Sequence, residues 1–213
     1  MTSALNILLI GGSGFVSGTV ARLAVEQGHA VWAVSRGRRA TVDGVTPLMA
    51  DRKDEAAFAA AISRPDIHWD LVVDCIAYGP EDTRQDVALL RDRASHLVFV
   101  STDFVYDPDR RRFPQGEDDA HYLTHSYGGK KREAELVLTG ADTGDMRWTI
   151  LRPCHIYGPG SLLGCLPEHG RDPQLIERLR SGEALRLVGG GHFLQQPILA
   201  ADLARTILSC ADN

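Results

Sequence analysis

Cysteine, asparagine and long apolar runs are scarce in this 213-residue sequence. Its four cysteines, Cys75, Cys154, Cys165 and Cys210, contain no Cys-x-x-Cys pair, and no histidine cluster joins them at zinc spacing. Neither a disulfide framework nor a metal site is expected from them. Scattered free thiols suit a reducing cytoplasm. The only asparagines are Asn6 and Asn213, which removes any mechanism that needs an asparagine in the active site. No apolar run approaches the ~20 residues that span a bilayer. Met1–Asn6 also lacks the basic stretch of a secretory leader, so no membrane association is expected. Positive charge is not in excess either. With 23 basic and 28 acidic residues the net charge is -5, and no general field gathers nucleic acid.

What is present is a regular alternation. Leu5–Ile10 is a continuous apolar run ending at Gly11, as a strand buried on both faces requires. Phe15–Gln27 has helical spacing and stops at Gly28. Strands are predicted at Ala30–Val34, Thr46–Met49, Asp70–Ile76, His96–Ser101 and Trp148–Leu151, and helices at Asp54–Ser63, Asp82–Arg93 and Tyr122–Thr139. Such alternation predicts a doubly wound α/β fold, a parallel sheet with helices on both faces. Residues 1–153 form the expected Rossmann domain. From Pro153 onward glycines and prolines break the pattern, with two helices at Pro173–Arg180 and Ala200–Cys210. Residues 154–213 are therefore expected to form a small, partial substrate lobe, interleaved with the end of the first domain and lying over the carboxyl edge of the sheet.

The turn Gly11-Gly12-Ser13-Gly14-Phe15-Val16 follows the first strand and opens the first helix. Glycines there let backbone approach a pyrophosphate, and the helix end offers free N–H groups to its charge. After the second strand comes Ser35-Arg36-Gly37-Arg38-Arg39. It lacks the carboxylate that binds an adenosine 2′-hydroxyl, and its guanidinium groups suit a 2′-phosphate. NADP is expected over NAD, with Ser35, Arg36 and Arg39 as ligands. Tyr127 and Lys131 stand one helical turn apart. A neighbouring ammonium favours phenolate, so the pair suits proton exchange with an alcohol or ketone.

These pieces occur together in the order found in a known family. The glycine turn is followed by Ala50-Asp51-Arg52-Lys53-Asp54, Val73-Asp74-Cys75-Ile76-Ala77 and Ser101-Thr102-Asp103-Phe104-Val105-Tyr106. Then come Tyr127 with Lys131, Leu151-Arg152-Pro153-Cys154-His155-Ile156-Tyr157-Gly158-Pro159, and Gln196-Pro197-Ile198-Leu199-Ala200-Ala201-Asp202. The chain resembles the extended branch of the short-chain dehydrogenase/reductase superfamily, the NAD(P)-dependent epimerases, dehydratases and reductases. That resemblance implies Tyr127 as the acid/base, Lys131 as its pKa-lowering partner and ribose ligand, and Thr102 as a hydrogen-bond partner of the reacting oxygen. It implies cofactor contacts from Asp51, Arg52, Cys75, Ile76, Ala77, Pro153 and Ile156, and substrate contacts from Tyr78, Asp103 and His155. It also implies a sugar-like small-molecule substrate and a homodimer joined through the helices at Asp82–Arg93 and Tyr122–Thr139.

Three departures qualify the resemblance. Ser17 replaces the third glycine of the loop. Phe104 stands where 4,6-dehydratases of the branch carry a glutamate, which tilts the reading toward reduction or epimerisation, because phenylalanine cannot titrate. Extended members also carry more substrate lobe after the helix that contains Asp202. A different outcome remains open, a non-catalytic NAD(P)-binding protein acting as a sensor, a scaffold or an RNA-associated factor. Residues 77–82 with the glycine loop are similar to chloroplast stem-loop-binding proteins of the superfamily. Arg110-Arg111-Arg112 is a small local basic foothold for RNA, and a solvated loop accounts for it better.

Overall fold

The computed structural model describes residues 4–63, 67–161, 172–192 and 196–212. Cys165 lies outside them. Six parallel strands, β1 (Asn6–Ile10), β2 (Ala30–Ser35), β3 (Val45–Met49), β4 (Leu71–Asp74), β5 (His96–Val100) and β6 (Arg147–Leu151), pair in the order β3-β2-β1-β4-β5-β6. The order reverses direction between β1 and β4, and the crevice at their carboxyl ends is where open α/β sheets bind ligands.

Period-two alternation along each buried strand divides the core into two layers. Ile7, Leu9, Val31, Ala33, Val73 and Val98 face one side, where α1 (Phe15–Glu26) brings Val20, Ala21 and Ala24. Leu203, Ala204 and Ile207 of α6 (Ala200–Ser209) complete that layer, so the chain returns from residues 154–199 to the face of the sheet. Leu8, Ile10, Val34, Val72, Leu97 and Phe99 face the other side. They are covered by α2 (Glu55–Ile62), α3 (Pro80–Leu90) and α4 (Ser126–Gly140) through Phe58, Ile62, Leu90, Ala134 and Leu138. Between β6 and α6 lie a short parallel pair, β7 (Ile156–Tyr157) with β8 (Ile198–Leu199), and α5 (Leu175–Ser181). Gly182, in the left-handed conformation at φ 74°, ends α5. Among the described residues no helix is long and apolar enough to cross a membrane.

Several boundaries differ from the sequence reading, each for a local reason. Helix α3 starts at Pro80 rather than Asp82, because proline fits the first helical position, with Gly79 as an extended cap. Helix α4 starts at Ser126 rather than Tyr122, because Tyr122 forms an antiparallel bridge with Tyr106 and Leu123 N–H donates to the Val105 carbonyl. Pro47 sits inside β3, which is an edge strand and so tolerates the missing donor.

Candidate active site

A cleft of about 870 Å³ opens along the carboxyl ends of β1, β4, β5 and β6. Its floor begins at the turn between β1 and α1. Gly11 has φ 94°, and a Cβ there would lie 2.5 Å from Ile76 Cγ2. Gly12 presses on Ala33, where a Cβ would overlap that side chain. Ser17, buried on the first turn of α1, accepts a hydrogen bond from Gly14 N–H at 2.9 Å and donates to the Gly11 carbonyl. The residue in place of the family's third glycine thus stitches the turn closed. The first-turn N–H groups of α1 have no intrahelical acceptor, and no carboxylate occupies that turn. Close-approach glycines, an unneutralised helix end and a long cleft fit a nicotinamide dinucleotide. Gly11, Gly14, Phe15 and Val16 line this end, with Cys75 and Ile76 opposite. Burial, with the Asp74 carboxylate behind it, pushes the Cys75 thiol up to about 12, so it stays protonated.

The other end gathers the catalytic candidates. Thr102, Tyr127 and Lys131 all line the cleft, as do Tyr78, Asp103, Pro153, His155 and Ile156. Thr102 Oγ1 accepts from Phe104 N–H at 3.2 Å and caps a short 3-10 turn at Asp103–Val105. Lys131 is buried. Its ammonium donates to the carbonyls of Ala77 at 2.7 Å and Val100 at 2.8 Å and lies over the Phe99 ring at 4.1 Å. Burial lowers its pKa to about 8 against the pull of the Asp74 and Glu135 carboxylates. Tyr127 is half-buried, and burial followed by neighbouring Tyr78 raises its phenol above the ordinary value. The expected lowering of that phenol by Lys131 is therefore corrected. The ammonium is committed to two main-chain carbonyls, and desolvation of the phenol prevails.

Tyr127 is placed by very close packing at the start of α4. A Cβ on Gly128 would run into the Phe104 carbonyl, and one on Gly129 would lie 2.7 Å from the Thr124 carbonyl carbon. Ser126 takes a left-handed φ of 65° just before the tyrosine, a costly conformation for a non-glycine residue. Gly128→Ala gains helix propensity but must push α4 off the 3-10 turn. We expect a net loss of about 1–3 kcal/mol, read as a lowered thermal midpoint. An unchanged midpoint would show that the two segments are not in register here.

Other expected ligands lie apart from the cleft lining. Gly12 and Ser13, within the turn, do not line the cleft, and Ala77 contributes its carbonyl to Lys131. Arg36 and Arg39 are exposed after β2, where Ser35 Oγ accepts from Gly37 N–H. Asp51 is exposed and receives Lys53 N–H. Arg52, expected to meet the cofactor, is corrected. Its guanidinium is buried, donating to Asp74 and Asp86 at 2.7 Å each and to the Asp82 carbonyl at 2.8 Å. Three nearby carboxylates hold it away from the cleft. The opposite correction applies to Arg111, placed by the sequence in a solvated loop. It lines the cleft, where its NH2 donates to Asp103 Oδ2 at 2.9 Å.

The model of the NAD-dependent epimerase/dehydratase family matches residues 7–213. A 2-alkyl-3-oxoalkanoate reductase of Stenotrophomonas maltophilia is 30% identical over 88% of this chain and 59% of its own length. Chloroplast stem-loop binding protein of 41 kDa b from Arabidopsis thaliana is 23% identical over 100% of this chain and 56% of its own length. The chain thus spans less than two thirds of these curated relatives. Among solved structures, the epimerase Mth375 of Methanothermobacter thermautotrophicus superposes with a TM-score of 0.76 at 15% identity, covering 98% of this chain and 68% of that one. The UDP-glucose 4-epimerase of Thermotoga maritima, solved with UDP-glucose, gives 0.71 at 21% identity, over 97% and 73%. These likenesses show the same doubly wound fold, and with the family match over nearly the whole sequence they establish that the chain belongs to the NAD-dependent epimerase/dehydratase family, in the extended branch of the short-chain dehydrogenase/reductases.

Proposed function

We propose that this chain is a nicotinamide-dependent oxidoreductase or epimerase acting on a keto or hydroxyl group of a small, sugar-like substrate, with Tyr127 as the acid/base. The observation that carries the reading is one cleft joining the glycine turn to Thr102, Tyr127 and Lys131. The relatives point the same way, because a ketone reductase and a sugar epimerase share one step, redox change at a carbinol carbon.

The dinucleotide, when bound, supplies the hydride chemistry at its nicotinamide ring. The residues of the chain do the rest. The glycine turn and the start of α1 hold the pyrophosphate. Lys131, fixed by two carbonyls, keeps a positive charge beside the ribose end. Thr102 and Tyr127 hydrogen-bond the reacting oxygen. A phenol whose pKa is raised stays protonated at neutral pH, which suits donation during reduction. A homodimer through the adjacent helices α3 and α4 belongs to the same reading.

Cofactor choice rests on the loop after β2, where no carboxylate follows Ser35 and Arg36 and Arg39 stand in solvent. NADP is favoured over NAD. Titration calorimetry with NADPH and NADH tests this. Arg36→Ala is expected to weaken NADPH about tenfold, the scale of one charge-assisted contact, and NADH less than twofold. Equal losses would assign Arg36 another role, and no binding of either nucleotide to the wild type would sink the enzymatic reading.

A further inference from the structure

Arg111 is the feature of the cleft that the proposed chemistry leaves unused. Charged side chains lining the described cleft are Asp103, Arg111 and Lys131. Lys131 is committed to the carbonyls of Ala77 and Val100. Arg111 is committed on one side only. Its NH2 donates to Asp103 Oδ2 at 2.9 Å, while its Nε is shut from solvent with no acceptor among the described residues. A guanidinium has five N–H donors, and one ion pair leaves it underused.

The position of this group is strongly determined. Its carbon lies 5.8 Å from the Tyr106 ring centroid and 5.4 Å from that of Phe113. Tyr106 stacks on Tyr122 at 5.6 Å, and Arg152 lies 5.2 Å from both rings. Arg132 caps the far side of Tyr122 at 3.8 Å, and both Arg132 and Arg152 donate to buried Glu135. Burial opposes ionisation of Glu135, but hydrogen bonds from Arg152, Ser101 and Arg132 hold its carboxyl below the usual range. A run of rings and guanidinium groups thus leads from buried Glu135 to the cleft wall, where Arg111 lies between the Tyr106 and Phe113 rings. Ring stacking and Asp103 restrict its rotamers before any ligand arrives, which lowers the entropic cost of binding.

We propose that Arg111 is a specificity-determining residue that binds an oxyanion, a carboxylate carried by the keto or hydroxy substrate. Asp103 orients the guanidinium by one edge, and the remaining edge meets the carboxylate. The two cations against one carboxylate give the described lining a net positive charge, as an acidic substrate requires. This assignment rests on the oxidoreductase part of the reading above, not on its sugar-like substrate, and narrows the substrate to a keto or hydroxy acid.

The test uses matched probes with the NADPH-loaded protein, 3-oxooctanoate against methyl 3-oxooctanoate, followed by NADPH oxidation and by ligand-observed NMR. UDP-glucose serves in the NMR arm as a probe whose charge sits on phosphate. Wild type is expected to favour the acid over the ester by roughly thirtyfold in kcat/KM, or in affinity, on the scale of a charged hydrogen bond. Arg111→Met is expected to bring that ratio close to one through KM, Arg111→Lys to keep part of it, and Arg112→Met, outside the cleft, to leave it intact. NADPH titration shows that each variant is folded and loaded. Loading without any acid-over-ester preference overturns the anchor while the oxidoreductase reading stands. Tighter UDP-glucose than acid, lost in Arg111→Met, overturns the carboxylate in favour of phosphate. Loss of nucleotide binding in the wild type overturns the reading beneath it.

Discussion

Arg52→Met is expected to remove about 3–5 kcal/mol of stability, the largest single loss available outside the hydrophobic core. The guanidinium is almost fully enclosed and lies within ion-pair distance of Asp74, Asp82 and Asp86. Removing it leaves buried carboxylates without a counter-charge. Asp74 is affected most, because its Oδ1 also accepts Ile76 N–H at 2.6 Å and Ala77 N–H at 2.9 Å, which shapes the turn at the cleft floor. Burial opposes ionisation of Asp74, but hydrogen bonds from Asp86 and Arg52 and the Arg52 charge win, so its carboxyl lies below the usual range. Asp86 goes the other way. Burial, then the Asp74 charge, raises it well above the usual range, which favours the neutral carboxyl.

The two shifts predict opposite pH limbs. Asp74 contributes stability that is present above its unfolded pKa and lost as pH falls through its lowered folded one. Asp86 contributes stability that is present below its unfolded pKa and lost as pH rises through its raised folded one. Asp86→Asn keeps the neutral form, so a change within about 1 kcal/mol is expected at low pH, with the rising-pH loss removed. Urea denaturation of wild type, Arg52→Met and Asp86→Asn across pH measures all three. An Arg52→Met midpoint within about 1 kcal/mol of wild type would mean that the cluster relaxes onto water and is not a structural anchor.

Most of the fold could be read from the sequence because its signals are local. Leu5–Ile10 is a continuous apolar run that suits a strand covered on both faces, and it ends at Gly11, whose φ of 94° favours glycine. Those elements alone set a parallel sheet and its ligand crevice. The candidate site was legible in part: Tyr127 and Lys131 stand out by type and spacing, Thr102 only through the family resemblance, and all three line one cleft. Side-chain destinations were not legible. Arg52 and Arg111 are both arginines in polar stretches, and nothing in their neighbours states that one turns inward to three carboxylates and the other joins a column of rings. That information is long-range, held in Asp74, Asp86, Tyr122 and Glu135. The same holds for Lys131, whose carbonyl partners belong to β5 and the turn after β4.

Tyr127→Phe is expected to lower kcat by about a thousandfold, within the range that a positioned proton donor supplies, while nucleotide affinity changes less than twofold. The hydroxyl is the only group lost, and no protein partner is left unpaired by its removal among the described hydrogen bonds. A pH titration separates the two members of the pair. Lys131, pushed down to about 8 by burial, loses its charge as pH rises through that value, and nucleotide affinity is expected to fall there. Because the phenol is raised instead, its own titration lies at higher pH. The affinity limb near 8 should therefore persist unchanged in Tyr127→Phe, whereas turnover is lost at every pH. Disappearance of that limb in the variant would assign it to the phenol and reverse the roles of the two residues. Full turnover in the variant would place the proton donor elsewhere in the cleft, with Tyr78 the nearest phenol. A combined Tyr78→Phe and Tyr127→Phe protein then decides whether either hydroxyl takes part.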